Sequence, residues 1–262
     1  MNHAQFAIAL PFVFSVLAAG AAFYHLVDPE GRSFLNRSLY LGELLLAGSI
    51  VLVGELVALS LFGLYKAPYL WGVTAANFFF LLHRDIRARL GFLAKKKAVD
   101  PASIGLVALL SWLVFRNCYF LMDIDSHSVY LYAQKLWLLH GTSIFGDPGI
   151  DVRIYAPHFD AVPYSLGLSI FGGETLFCQL VNLFWRGIAV LIVYGYTRHR
   201  LNGAYGLAAA ALVTFDDHFF FSGANSSVLI NGALSAFLSG AVFNFWEARR
   251  LGSSDRFVFA LV

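Results

Sequence analysis

Two groups of carboxylates stand at the ends of apolar runs in this chain, where an acid is costly unless it is solvated or paired. The first is Asp123-Ile124-Asp125, followed by Ser126-His127. Two carboxylates at i and i+2, ahead of an interfacial stretch, could act as a general base or hold a divalent cation. If both point into one pocket their titrations couple and one carboxyl gains basicity, which suits a base. A plainer role also fits: Asp125 or Ser126 stands where a helix N-cap belongs, and Asp123 would be a solvated charge at the end of a span. The second group is Asp216-Asp217-His218, which reads as a solvated turn or as part of one acidic pocket with Asp123 and Asp125.

Between the two groups lie Arg153, Tyr155 and His158, close to Pro157 and Asp160. A guanidinium at a membrane face pairs with phosphate oxygens in a fork, as a lipid-phosphate substrate would require, or simply anchors to headgroups. His127 and His140 read as interfacial polar residues. Asn225-Ser226-Ser227 and Asn36-Arg37-Ser38 match the glycosylation sequon, a pattern common by chance. Cys118 and Cys178 lie in or beside apolar runs without CxxC spacing and read as packing residues.

Apolar helices must position these groups. Of the 262 residues, 59% are hydrophobic and 13% charged, against roughly 45–50% and about 25% in soluble domains. That excess needs an apolar solvent, and runs near the ~20 residues that cross a ~30 Å hydrocarbon layer recur along the chain. The sequence predicts an all-α, polytopic bundle with spans at 5–27, 39–64, 68–83, 102–121, 175–197, 204–221 and 227–246. An eighth apolar stretch starts at Phe257 and stops at Val262, so the chain is expected to be the front part of a longer protein. The first run lacks basic residues before it and is long for a signal peptide, which favours a retained helix.

A formal net charge of +2 is too small to suggest nucleic acid; the placement of basic residues matters more. The densest cluster, Arg84, Arg87, Arg89, Lys95, Lys96 and Lys97, falls in the 84–100 loop, which short-loop charge bias puts in the cytoplasm. Alternation then places 28–38, Arg198-His199-Arg200 and Arg249-Arg250 inside, and 1–5, 65–67, 122–174 and 216–226 outside. The outer segment Met122 to Glu174, roughly 50 residues, is too long for an ordinary connection and too rich in Tyr, Trp, Leu and Phe for disorder. Val129 to His140 is expected to lie as a helix in the interface and to end at Gly141. Ala161 to Phe171 is expected to be a second helix, too short to span and closed by Gly172-Gly173. Glu43, Glu55 and Asn77 fall inside spans and should face protein. The two glutamates are about 40° from one face; they could mark an ion path, but with no basic partner in the same spans helix packing is the stronger reading.

From about Ile104 to Arg250 the chain resembles the membrane-embedded glycosyltransferases of the C-type fold, the group of protein O-mannosyltransferases and aminoarabinose transferases. The likeness rests on Asp123-Ile124-Asp125 after an outward helix, Tyr130 and Ala133, Leu139-His140-Gly141, Tyr155-Ala156-Pro157, and Leu168-Ser169-Ile170-Phe171-Gly172. The family's usual Asp-Glu pair is Asp125-Ser126 here, and three spans precede the motif where typical members have one. The resemblance divides the chain into N-terminal helices with a basic loop, 1–100, and a glycosyltransferase-like core, 101–262. It implies inverting transfer of a sugar from a polyprenyl-phosphate donor to a hydroxyl of a lipid, glycan or protein acceptor, outside the membrane. Asp125 would be the base, with Asp123 orienting the acceptor or binding a divalent cation, the one cofactor implied. Arg153 and His158 would hold the phosphate, with Tyr155 and Asp217 contacting substrate. Two other classes stay open: a transporter or flippase built on Glu43 and Glu55, and a non-enzymatic membrane scaffold whose outer loop binds a partner.

Overall fold

A computed structural model describes residues 3–28, 35–94, 100–118, 131–143, 161–172, 176–215 and 231–252, together with Arg256, Val258 and Ala260. Among them are ten α-helices and one 3₁₀ segment: α1 (His3–Val27), α2 (Arg37–Leu61), α3 (Ala67–Ala76), the 3₁₀ segment (Asn77–Leu82), α4 (Arg84–Ala94), α5 (Pro101–Cys118), α6 (Tyr132–His140), α7 (Tyr164–Phe171), α8 (Leu176–Arg200), α9 (Gly203–Phe215) and α10 (Asn231–Leu251). The all-α class holds.

Among the described residues three helices, α1, α2 and α8, are long and apolar enough to cross a membrane. The expectation of about seven spans and a partial eighth is thereby corrected, and each shortfall has a cause. The 68–83 run breaks at Asn77, a buried amide that donates to Ser15 Oγ (3.2 Å) and Glu55 Oε2 (3.0 Å), and beyond it the chain tightens to 3₁₀ geometry. The apolar parts of α5 and α9 are short among the described residues, Pro101–Phe115 and Gly203–Phe215. In α10, 21 residues long, the second half carries Asn244, Glu247, Arg249 and Arg250 among its apolar residues. The eighth stretch is entered by Arg256, which is buried rather than left at a membrane surface.

α8 is the hub. Phe177, Val181, Trp185, Ile188 and Ile192 recur at three- to four-residue spacing and are all buried, the stripe a helix needs to pack on several neighbours. α2 runs antiparallel to it, with Leu39 against Gly195 and Gly42 against Ile192. α10 runs parallel to it: Phe237 meets Trp185, Phe243 stacks on Tyr196 at 4.2 Å, and Glu247 pairs with Arg200. Asn36 caps α2, accepting from Leu39 N, and donates its amide to Gly195 O at 2.6 Å, so the sequon asparagine ties α2 to α8.

These directions gather the connections into two sets. At one end Arg89 donates to Asp28 O, Arg198 pairs with Asp100, and Arg200 pairs with Glu247. The segments expected on one side because they are basic thus share one end of the bundle. At the opposite end Gln5 Oε1 accepts from Phe177 N, and Tyr65 N donates to Gly141 O.

Candidate functional site

Asp123, Asp125, Arg153, Tyr155, His158 and Asp217 lie outside the described residues, as does His127. The helices that lead into those stretches are described. α5 and α9 run side by side in the same direction: Gly203 abuts Ala102, Gly105 abuts Leu207, and the Trp112 ring lies 4.8 Å from that of Phe215. A Cβ on Gly105 would come within 2.5 Å of Leu207 Cδ2, so the missing side chain sets how closely the pair approaches. α5 ends at Cys118, five residues before Asp123, and α9 ends at Phe215, immediately before Asp216. Phe215, the last residue of α9, is level with Trp112, and α5 continues past that contact to Cys118; both helices run away from the basic end, and an acidic stretch follows each in sequence.

The same end carries two short helices that the sequence anticipated. α6 closes on Gly141 at φ +75° and α7 on Gly172 at φ +71°, left-handed positions that glycine fills without strain. They dock on Tyr65, which follows α2. Its hydroxyl donates to Gln134 Oε1 (2.7 Å) and approaches Val162 O (3.3 Å), and its ring meets Trp137 edge-on at 5.6 Å. Ser60 and Ser143 share a hydrogen bond of 2.8 Å beside it. Burial pushes the Tyr65 phenol up, against a smaller opposing hydrogen bond with Ser165, so it remains a donor. α7 rests on α8 where Gly167 meets Phe177. Lys66 and His140 are exposed at this end. Cys178 is buried beneath Tyr164, as a packing cysteine should be.

An apolar groove of about 970 Å³ opens between α9 and α10. Ala208, Leu212 and Phe215 form one wall and Leu238, Val242 and Phe243 the other, with hydroxyls from Ser235 and Ser239. It reaches Phe215, the residue from which the second acidic stretch departs. Its volume lies within the roughly 300–1,000 Å³ of small-molecule sites, which are likewise lined mostly by apolar side chains.

The polar residues inside the spans separate into two clusters. Glu43, 4% exposed, pairs through Oε1 with Arg256, itself 1% exposed, and accepts from the Tyr24 hydroxyl at Oε2 (2.7 Å). Arg256 Nη1 also donates to Asn244 Oδ1 (2.7 Å). Glu55 bonds Asn77 instead, ~18 Å along α2 from Glu43 at 1.5 Å per residue. The partner of Glu43 thus lies in another part of the chain from its own span. Tyr65 and Gln134 look like ordinary interfacial residues in sequence. Arg186 sits midway along α8, 1% exposed, and its signal was plain: an arginine within an apolar run.

Comparison of the chain with protein-family models, curated proteins and solved structures finds no match.

Proposed function

We propose that this chain is a membrane-embedded glycosyltransferase that moves a sugar from a polyprenyl-phosphate donor to an acceptor hydroxyl at the extracytoplasmic face. One observation supports the reading: α5 and α9 pack in parallel and run away from the basic end, and an acidic stretch follows each of them in sequence. Along α9 opens an apolar groove suited to an isoprenoid tail. The motif order from Asp123 to Gly172 supports the same class.

In this reading Asp125 takes the proton of the acceptor hydroxyl as its oxygen attacks the anomeric carbon. The bond from that carbon to the phosphate oxygen breaks, its electron pair leaves with the polyprenyl phosphate, and the configuration inverts. Arg153 and His158 meet the growing phosphate charge, a form of electrostatic stabilisation worth most where water is excluded. Asp123 orients the acceptor or holds a divalent cation, and Tyr155 and Asp217 contact the sugar. The enzyme would work in a cell membrane, the inner one in a bacterium, with its basic end in the cytoplasm. No nucleotide sugar is supplied at the outer face, which is why the donor is lipid-linked.

The test is transfer from a labelled polyprenyl-phosphate sugar in membranes bearing the chain. Asp125→Asn should lower transfer by at least the roughly 10²–10⁴-fold that a general base contributes, with the protein still present and folded. Unchanged transfer in that variant would sink the assignment.

A further inference from the structure

A different cluster of ligating side chains occupies the basic end, away from the acidic stretches. His25 lies in the last turn of α1, His83 closes the 3₁₀ segment, and Asp85 lies in the first turn of α4. One ring nitrogen of each histidine and one carboxylate oxygen of Asp85 all lie within 4.8 Å of one another. The two imidazole rings face each other at 5.0 Å between centroids, tilted by 44°. Nδ1 of His25 is buried and has no hydrogen-bond partner among the described residues. A buried polar atom left unmatched is costly, and a cation bound at that nitrogen would remove the cost.

We infer that His25, His83 and Asp85 form a three-ligand site for a divalent cation of the zinc class. Two imidazoles and a carboxylate are a donor set that suits zinc and its first-row neighbours better than magnesium or calcium, which prefer all-oxygen shells. A tetrahedral ion at about 2.0–2.1 Å from each ligand needs ligand atoms about 3.4 Å apart. His83 and Asp85 are exposed, so their side chains have room to close the remaining ångström or so. Their backbone is already fixed. His83 N donates to Phe80 O and Arg87 N to His83 O, while Ile86 is buried with Tyr24, Tyr40 and Leu44. The surrounding basic residues do not forbid the ion: Arg84 and Arg87 are exposed, and water with salt screens them over ~8 Å. Three protein ligands leave a fourth position for water, and the bound ion would clamp the end of α1 to α4.

The experiment uses the whole chain, purified in detergent, stripped with a chelator and titrated with Co²⁺ as a spectroscopic stand-in. One Co²⁺ per chain with the visible band of a tetrahedral site, displaced by Zn²⁺, is expected. Asp85→Asn, at an exposed position that leaves folding intact, should weaken binding by at least the roughly 10–100-fold that losing even an outer partner costs. His25→Gln and His83→Gln should do the same, and His199→Gln should bind as the parent does. Absence of the band, or a band that survives Asp85→Asn, would overturn the assignment.

Discussion

The α1/α2 interface and the α9/α10 interface are both built from apolar helices, yet one is closed to backbone contact and the other gapes. In the first, Gly20 faces Leu44 and Gly48 faces Val16 so closely that a Cβ on Gly48 would fall 1.8 Å from Val16 O. Tyr24 and Glu43 add a hydrogen bond across it. In the second, Leu212 and Leu238 face each other across a groove without a comparable glycine contact. Lipid removes the hydrophobic drive between helices, so small residues and polar cross-links decide which pairs close. Among the described residues, α9 and α10 leave an apolar groove where the first pair closes.

The largest effect follows directly. Gly48→Leu must push α1 off α2, because the clash is with backbone, and should cost more than about 4 kcal/mol, the range reserved for gross packing failure. Ser239→Leu, which adds a comparable side chain to the groove, should shift stability by less than about 1 kcal/mol. Folded yield and thermal unfolding in one detergent compare the two. Equal losses would mean that the groove is as tightly packed as the glycine contact.

Next in size is the buried pair. Arg256→Leu strands the Glu43 carboxylate with the Tyr24 hydroxyl alone, and breaking one side of a buried ion pair costs about 3–5 kcal/mol. Replacing both, Glu43→Leu with Arg256→Leu, should restore most of the loss, since two apolar side chains need no pairing in this setting. A double variant as unstable as the single one would show that Arg256 acts through Asn244 instead.

These interactions were unevenly legible beforehand. The all-α class, the three long spans, and the ends of α6 and α7 at Gly141 and Gly172 follow from local pattern, because hydropathy and left-handed glycine act within a few residues. The break at Asn77 was not legible, since it depends on where Ser15 and Glu55 come to lie. Nor was the role of Arg256, whose partner Glu43 is distant in sequence and whose apolar neighbours suggested a new span. Nor does the sequence single out His25, because its companions His83 and Asp85 approach only when α1 meets α4. The acidic motif stood out, but its placement lies outside the described residues.

The smallest predicted effect is electrostatic and belongs to the basic end. Asp100 accepts from Ser103 N at 2.9 Å, capping α5, and pairs with Arg198 at 2.7 Å. The backbone hydrogen bond from Ser103 first, and then Arg198, hold its carboxyl below the usual value despite the opposing effect of partial burial. With a folded value below the unfolded one, its contribution is complete above the unfolded carboxyl range of about 3.9 and is lost as pH falls through the lower folded value. The pair is about a third exposed, 32% for Arg198 and 37% for Asp100, so solvent screening limits the whole contribution to about 1 kcal/mol or less. Asp100→Asn keeps a capping oxygen and removes the charge. The stability gap between parent and variant should therefore be small at neutral pH, persist to about pH 4 and close in stronger acid. Added salt should narrow it further, because the Arg198 part is screened while the Ser103 hydrogen bond is not. A gap that widens on acidification would mean that Asp100 is more easily protonated in the fold than out of it, and that desolvation outweighs both partners.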